Sequence, residues 1–214
     1  MIFMVAALLF LIAYLYGSYS TARIIAKNFR SLNIYKVGSG LADTENIYTN
    51  ISKPMGVLVG AIDISKAYLF LLVVEFVLRI LDMNSNFLDI SVLYSRNIML
   101  LYGIGMLIGH CLPVAHHFRG GRGIFTYMGF FAYFAFLPMI ITATVASVLV
   151  IHFKQIRFAQ YTIVILPVVL FQLFYYLTDL YQPNLPPYFN SILIVNAFLM
   201  GGLNFVVSKR LGEF

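Results

Sequence analysis

The sequence predicts an all-α integral membrane protein of about seven membrane segments, with its N-terminus outside, its C-terminus cytoplasmic and glycine-rich loops on the cytoplasmic side. Three observations lead there. Of 214 residues, 61% are hydrophobic and 10% are charged, against roughly 45–50% and about 25% in soluble domains. Apolar runs long enough to span, about 20 residues each, begin at Met1, Met55, Asn97, Ile124, Tyr161 and Pro187. The cations fall in clusters, and clustered Lys and Arg mark the cytoplasmic side of a membrane protein.

Small residues follow the first run at Ser18-Tyr19-Ser20-Thr21-Ala22. It carries no charged leading segment, so a retained helix is expected rather than a cleaved leader. Arg23, Lys27, Arg30, Lys36 and Lys53 follow it, and the other clusters are Arg119 with Arg122, Lys154 with Arg157, and Lys209 with Arg210. All four should face inward. The 81–96 and 180–188 segments should face out. One apolar stretch, Ile124 to Ile151, then joins two inner clusters. At about 42 Å as a helix it exceeds one crossing and is too short for two. Two short or re-entrant helices are therefore expected, broken near Pro138, with a polar cavity beside the break, because irregular backbone at depth needs protein or water around it. A single membrane domain, residues 1–214, accounts for the whole pattern. The net charge of +6 reflects orientation, and no nucleic-acid partner is expected.

The polar segments that could bind something lie on the inner side. Lys36-Val37-Gly38-Ser39-Gly40 occupies the first inner loop and Arg119-Gly120-Gly121-Arg122-Gly123 the second. Glycine permits positive φ and close approach of backbone N–H groups to an anion, and an arginine fork suits phosphate oxygens. The same residues also make tight turns and anchor helix ends at lipid head groups.

Asp63 and Lys66 are three apart inside the second run, so they share one helix face. Buried ionisable groups in a membrane pair with each other or line a functional cavity. Glu75 and Arg79, four apart, suit a structural pair near the outer face. His110 either holds a helix end by a hydrogen bond or meets a substrate. Ser18 is the best-placed hydroxyl, although such serines commonly bond a carbonyl one turn back. The adjacent His116 and His117 point about 100° apart on a helix and have no neighbouring carboxylate, so no metal site is expected. Cys111 is the only cysteine, which excludes an internal disulfide. No cofactor is implied.

In order and spacing, these segments resemble the bacterial acyl-phosphate:glycerol-3-phosphate acyltransferase family. Gly109, His110, Pro113, Phe118, Gly120, Gly121, Gly123 and Thr126 match its Gly-His-x-Phe-Pro and Phe-Lys-Gly-Gly-Lys-Gly-Val-Ala-Thr stretch. Gly17-Ser18 matches its Gly-Ser-Ile-Pro. Gly38-Ser39-Gly40 with Asn46 matches its Gly-Ser-Gly-Asn-x-Gly-Ala-Thr-Asn, and Asp63 with Lys66 its Asp-x-x-Lys-Gly. The resemblance implies attack of the glycerol 3-phosphate hydroxyl on an acyl phosphate, leaving lysophosphatidic acid in a bacterial inner membrane. It implies catalytic roles for Ser18, Lys66, His110 and Arg122. Substrate contacts would come from Lys36, Gly38, Ser39, Gly40, Asn46, Asp63, Arg119, Gly120, Gly121, Gly123 and Thr126.

The chain also departs from the pattern. Tyr35 replaces an arginine, Asp43 and Glu45 enter the first loop, Arg119 and Arg122 replace lysines, and Gln160 replaces a serine. Asn204 and Val207 stand where the C-terminal motif has His and Asn. Asp43 and Glu45 would repel a phosphate unless paired, and Lys53 is the expected partner. Loss of those acceptor-side groups points either to an acyltransferase with altered acceptor recognition or to a non-catalytic relative that binds a lipid, a phosphate ligand or a membrane partner. Anion transport would call for an internal repeat, and none is apparent.

Overall fold

The computed structural model describes residues 2–84, 89–178, 180–181 and 185–212. Among these the architecture is all-helical: α1 (Ile2–Gly17), α2 (Thr21–Arg30), α3 (Thr44–Asn50), α4 (Lys53–Asn84), α5 (Arg96–Cys111), α6 (Ile124–Phe134), α7 (Phe136–Ile151), α8 (Ile156–Leu177) and α9 (Phe189–Arg210). Five stretches are long and apolar enough to cross a membrane: Ile2–Arg30, Lys53–Asn84, Arg96–His116, Ile156–Leu177 and Phe189–Arg210. The apolar α6 and α7 are shorter. Parts of both expected outer loops, 85–88 and 182–184, lie outside the described residues.

Ile124–Ile151 does divide into two short helices. The break falls at Ala135 (φ −146°, ψ 75°), three residues before the expected position. Pro138 sits instead in the first turn of α7, where its missing N–H removes no helical bond. Aromatic rings cover the break: Tyr133 meets Phe134 edge-on at 4.8 Å, and Phe134 lies 5.7 Å from Phe189. Protein packing thus shields the irregular backbone, and a polar pocket lies at the other end of α6, beside Gly123 and Ile124.

Two close helix contacts set the position of that end. In α5, Gly105 and Gly109 form a small-xxx-small ridge of the kind that lets membrane helices approach. A Cβ on Gly109 would fall 2.0 Å from the Tyr14 carbonyl oxygen of α1. The Tyr14 hydroxyl donates to Leu112 O at 2.9 Å, so His110, between these contacts, is fixed against the end of α1. On the other side, a Cβ on Gly129 would lie 2.0 Å from Ile64 O of α4. That contact holds α6, with Thr126 one turn earlier, on α4. Gly129→Ala should push the two backbones apart and cost about 1–3 kcal/mol, read as a lower thermal midpoint in detergent.

The second core cluster is small. Ala22, Ile25 and Ala26 of α2 pack with Ile34, Ala42, Ile47 and Val59. Lys27 and Arg30 occupy the last turn of α2. Ser20 caps this helix by accepting from Arg23 N at 3.2 Å, and the next residue, Thr21, reaches the ionisable pair of α4.

Candidate functional site

Asp63 and Lys66 form the centre of a buried polar cluster. Lys66 Nζ lies 2.9 Å from Asp63 Oδ1, as their shared helix face requires. The ammonium also donates to Tyr19 O at 3.1 Å and meets His110 Nδ1 at 3.3 Å. Thr21 Oγ1 donates to Asp63 Oδ1 at 3.0 Å, and Thr126 Oγ1 lies 3.1 Å from His110 Nδ1. An ammonium can only donate, so His110 Nδ1 accepts and the ring proton sits on Nε2. That edge faces Gly121: a Cβ there would be 2.9 Å from Nε2. Asp63 is 1% exposed, a burial tolerable for a charge only when it is paired and hydrogen-bonded.

Arg122 is the second centre, 4% exposed. Its Nη1 donates to Ser208 Oγ of α9 at 2.8 Å, and Asn204 Nδ2 donates to its carbonyl at 3.2 Å. Asn204 occupies the place of the family's C-terminal His, so α9 still contributes a polar group there through a different side chain. Glu45 Oε2 lies 3.7 Å from Arg122 Nε and 3.6 Å from Arg157 Nη1. It also accepts from Gln160 Nε2 at 2.8 Å. The partner expected for Glu45, Lys53, is exposed at the start of α4. Two arginines and an amide from distant segments take that place. The sequence does not single out Arg157, Gln160, Asn204 or Ser208 as site residues: Gln160 and Asn204 stand out only as departures from the family motif, Arg157 only as a member of an inner cation cluster, and Ser208 carries no signal beyond polarity.

The two glycine loops do converge. A Cβ on Gly120 would sit 2.0 Å from His110 O, and one on Gly121 2.7 Å from Asp43 Cβ. Gly121 N donates to His110 O at 3.2 Å. These glycines let the second loop lie directly on the end of α5 and on the first loop. Gly123 (φ +75°) then turns the chain into α6. Gly38 and Gly40 also have positive φ. Asn46 Nδ2 ties their loop by donating to Val37 O at 2.9 Å and Leu41 O at 2.8 Å. Ser39 Oγ accepts from Leu41 N at 3.4 Å. Ser18 Oγ donates to Tyr14 O at 2.9 Å, a bond one turn back along its own helix. Lys36 and Arg119 are exposed.

Asp43 caps α3, accepting from Asn46 N at 2.9 Å through Oδ1, while Oδ2 is buried without a hydrogen bond. Burial raises its pKa to about 6; Glu45 adds to the rise, and the Asn46 N–H and Arg122 oppose it. The native protein therefore holds this proton more tightly than the unfolded chain. The associated stability is full below the unfolded value of 3.8 and is lost as pH rises through about 6. Thermal unfolding should show stability falling between pH 3.8 and about 6 and levelling off above. Asp43→Asn, which keeps a good cap, should flatten that slope.

Two cavities meet at Arg122. The larger, about 1210 Å³, runs between α8 and α9. Val164, Ile165, Val168, Val169, Ile194 and Phe198 make it apolar, and Arg122, Arg157, Gln160, Asn204 and Ser208 make one end polar. The smaller, about 20 Å³, is lined by Asp43, Glu45, Asp63, His110, Gly123 and others. Arg122, Ile124 and Gln160 border both. A third cavity, about 360 Å³, lies where Gly40 and Leu41 face Arg119, Gly120 and Arg210.

A bundle of membrane-length helices, with a buried Lys-Asp-His cluster beside an apolar groove, defines a multi-pass membrane protein with a polar pocket next to that groove. A family profile for glycerol-3-phosphate acyltransferase matches residues 7–208, and the chain belongs to that family. Among its curated relatives are bacterial glycerol-3-phosphate acyltransferases. That of Mycoplasmopsis pulmonis is 31% identical over 67% of this chain and 59% of the relative. Glycerol-3-phosphate acyltransferase 1 of Lactobacillus acidophilus is 31% identical over 53% and 48%. That of Streptococcus thermophilus is 29% identical over 90% and 83%. The matched region thus spans less than two thirds of the first two relatives. The fold is shared with crystal structures of PlsY (YgiH), an integral membrane glycerol 3-phosphate acyltransferase. Its glycerol 3-phosphate form gives a TM-score of 0.70 at 21% identity, covering 96% of this chain and 88% of that one. Its lysophosphatidic acid form gives 0.67 at 19% identity over the same shares.

Proposed function

We propose that this protein transfers an acyl chain from an acyl phosphate to the hydroxyl of glycerol 3-phosphate at the cytoplasmic face of a bacterial inner membrane. The observation that carries this reading is the groove between α8 and α9, apolar along its length and cationic at the end that borders the Asp63–Lys66–His110 cluster. An acyl phosphate has that shape, a chain with an anionic head. The hydroxyl oxygen attacks the acyl carbon, the bond to phosphate breaks, and phosphate leaves with the electron pair and takes up the hydroxyl proton. No enzyme-bound intermediate is needed because the donor carries its own leaving group. Arg122 and the first-turn N–H groups of α6 supply fixed positive charge to the phosphate and the developing oxyanion. Lys66 and Asp63 hold His110, whose Nε2–H faces the loop.

The cytoplasmic assignment rests on the gathering of cation clusters at the site end. Arg122 and Arg157 meet at Glu45, Arg210 Nη1 donates to Phe118 O, and Thr21, two residues before Arg23, bonds Asp63. That gathering and the positive-inside rule support the expected orientation, N-terminus out and C-terminus in.

The test is phosphate release from an acyl phosphate by purified protein, with and without glycerol 3-phosphate. Release that needs the acceptor supports the reading. Absence of release with glycerol 3-phosphate and a panel of phosphorylated alcohols overturns it in favour of the non-catalytic relative. Gly201 and Gly202 add a second readout. Both line the groove, and a Cβ on either meets nothing within 4 Å. Two glycines cost a helix about 1 kcal/mol each relative to alanine, and among the described residues nothing packs close enough to require them. Gly201→Leu should therefore leave the thermal midpoint unchanged or raise it, while raising KM for the acyl donor by intruding into the groove.

A further inference from the structure

We infer that Glu45 is a built-in counter-anion, standing where a substrate phosphate must stand and closing the passage between the acyl groove and the polar pocket. One oxygen, Oε2, collects Arg122, Arg157 and the Gln160 amide. Arg157 Nη1 donates in turn to Gln160 Oε1 at 3.2 Å, so the amide relays one arginine to the carboxylate. Two guanidinium groups at ion-pair distance, 3.7 and 3.6 Å, and one donating amide surround a single oxygen, a cationic setting that suits a phosphate oxygen. The carboxylate is anchored at the start of α3, and its partners come from the second glycine loop and the head of α8. Glu45 thus ties together three segments that a ligand would have to separate.

The cavities give this contact its consequence. The pocket lined by Glu45, Asp63 and His110 holds about 20 Å³, roughly the room for one water and too little for a glycerol phosphate. The groove beside it offers about 1210 Å³. Both are bordered by Arg122 and Gln160, the groups that Glu45 holds. A phosphate that takes over the two arginines therefore frees Glu45 and joins the cavities. In the family motif this position is a threonine and that of Gln160 a serine. The two departures are in direct contact, a carboxylate and the amide that donates to it.

The proposal rests on the phosphate-transfer reading, and its test separates the two. Inorganic phosphate binding to the purified protein is measured by calorimetry for wild type, Glu45→Gln and Glu45→Thr, with thermal scans to establish folding. Removing the competing charge should tighten binding about tenfold, the scale of one hydrogen bond to a charged group. Unchanged or weaker binding in both folded variants overturns the proposal and makes Glu45 a residue that merely positions the arginines. The KM values for acyl phosphate and for glycerol 3-phosphate are then compared separately. The one that falls in the variants identifies the phosphate that displaces Glu45, and a fall in neither overturns the gate. Tighter phosphate binding without turnover in any variant leaves the gate standing and removes the acyltransferase reading. Turnover with unchanged phosphate binding does the reverse.

Discussion

Replacing Arg122 by alanine should cut acceptor-dependent phosphate release by about 10²–10³-fold, the loss seen when one preorganised donor to a developing oxyanion is removed. Arg122 is the cation that borders both cavities, and Ser208 and Asn204 hold its side chain and its carbonyl. The loss should appear in kcat at saturating concentrations of both substrates, because a fixed charge acts most strongly on charge that develops during reaction. Arg122→Lys places the family's own residue at this position. It should keep more of the rate than alanine, since the charge remains although the fork is lost. Equal rates for wild type and Arg122→Ala would remove this residue from the chemistry.

Lys66→Ala should be the most damaging change to stability, about 3–5 kcal/mol, the cost of removing one partner of a buried ion pair. It would leave the Asp63 carboxylate, 1% exposed, with only the Thr21 hydroxyl. Tyr19 O and His110 Nδ1 would lose a donor as well. Thermal unfolding in detergent measures the drop. The paired change Lys66→Met with Asp63→Leu removes both charges, so it should recover much of the stability. Activity should not return, because the groups that orient His110 would still be missing. Recovery of activity in the double variant would make the pair purely structural.

How far the sequence reaches depends on the range of the interaction. Asp63 and Lys66 were legible as a pair because three-residue spacing in a helix is a local fact, and the structure closes them to 2.9 Å. Glu75 and Arg79 were legible for the same reason, and Arg79 Nε donates to Glu75 Oε1 at 2.9 Å. The split of the 124–151 run followed from length against bilayer thickness. The covering of that split did not, because aromatic rings from α4, α6, α7 and α9 close over it. The partner of Glu45 was misplaced on Lys53, a near neighbour in the chain.

Composition, cation clusters and helical periodicity were enough to determine a multi-pass helical membrane protein with its polar loops gathered on one side. Each of these properties is set by residues within a turn or a span of one another. Only the tertiary structure decided that Gln160, 115 residues from Glu45, donates to it, that α9 braces Arg122, and that α8 and α9 leave a groove between them. Periodicity specifies which face of a helix is apolar. Which faces meet is fixed by where backbones can approach, at Gly109 against Tyr14 and at Gly129 against Ile64.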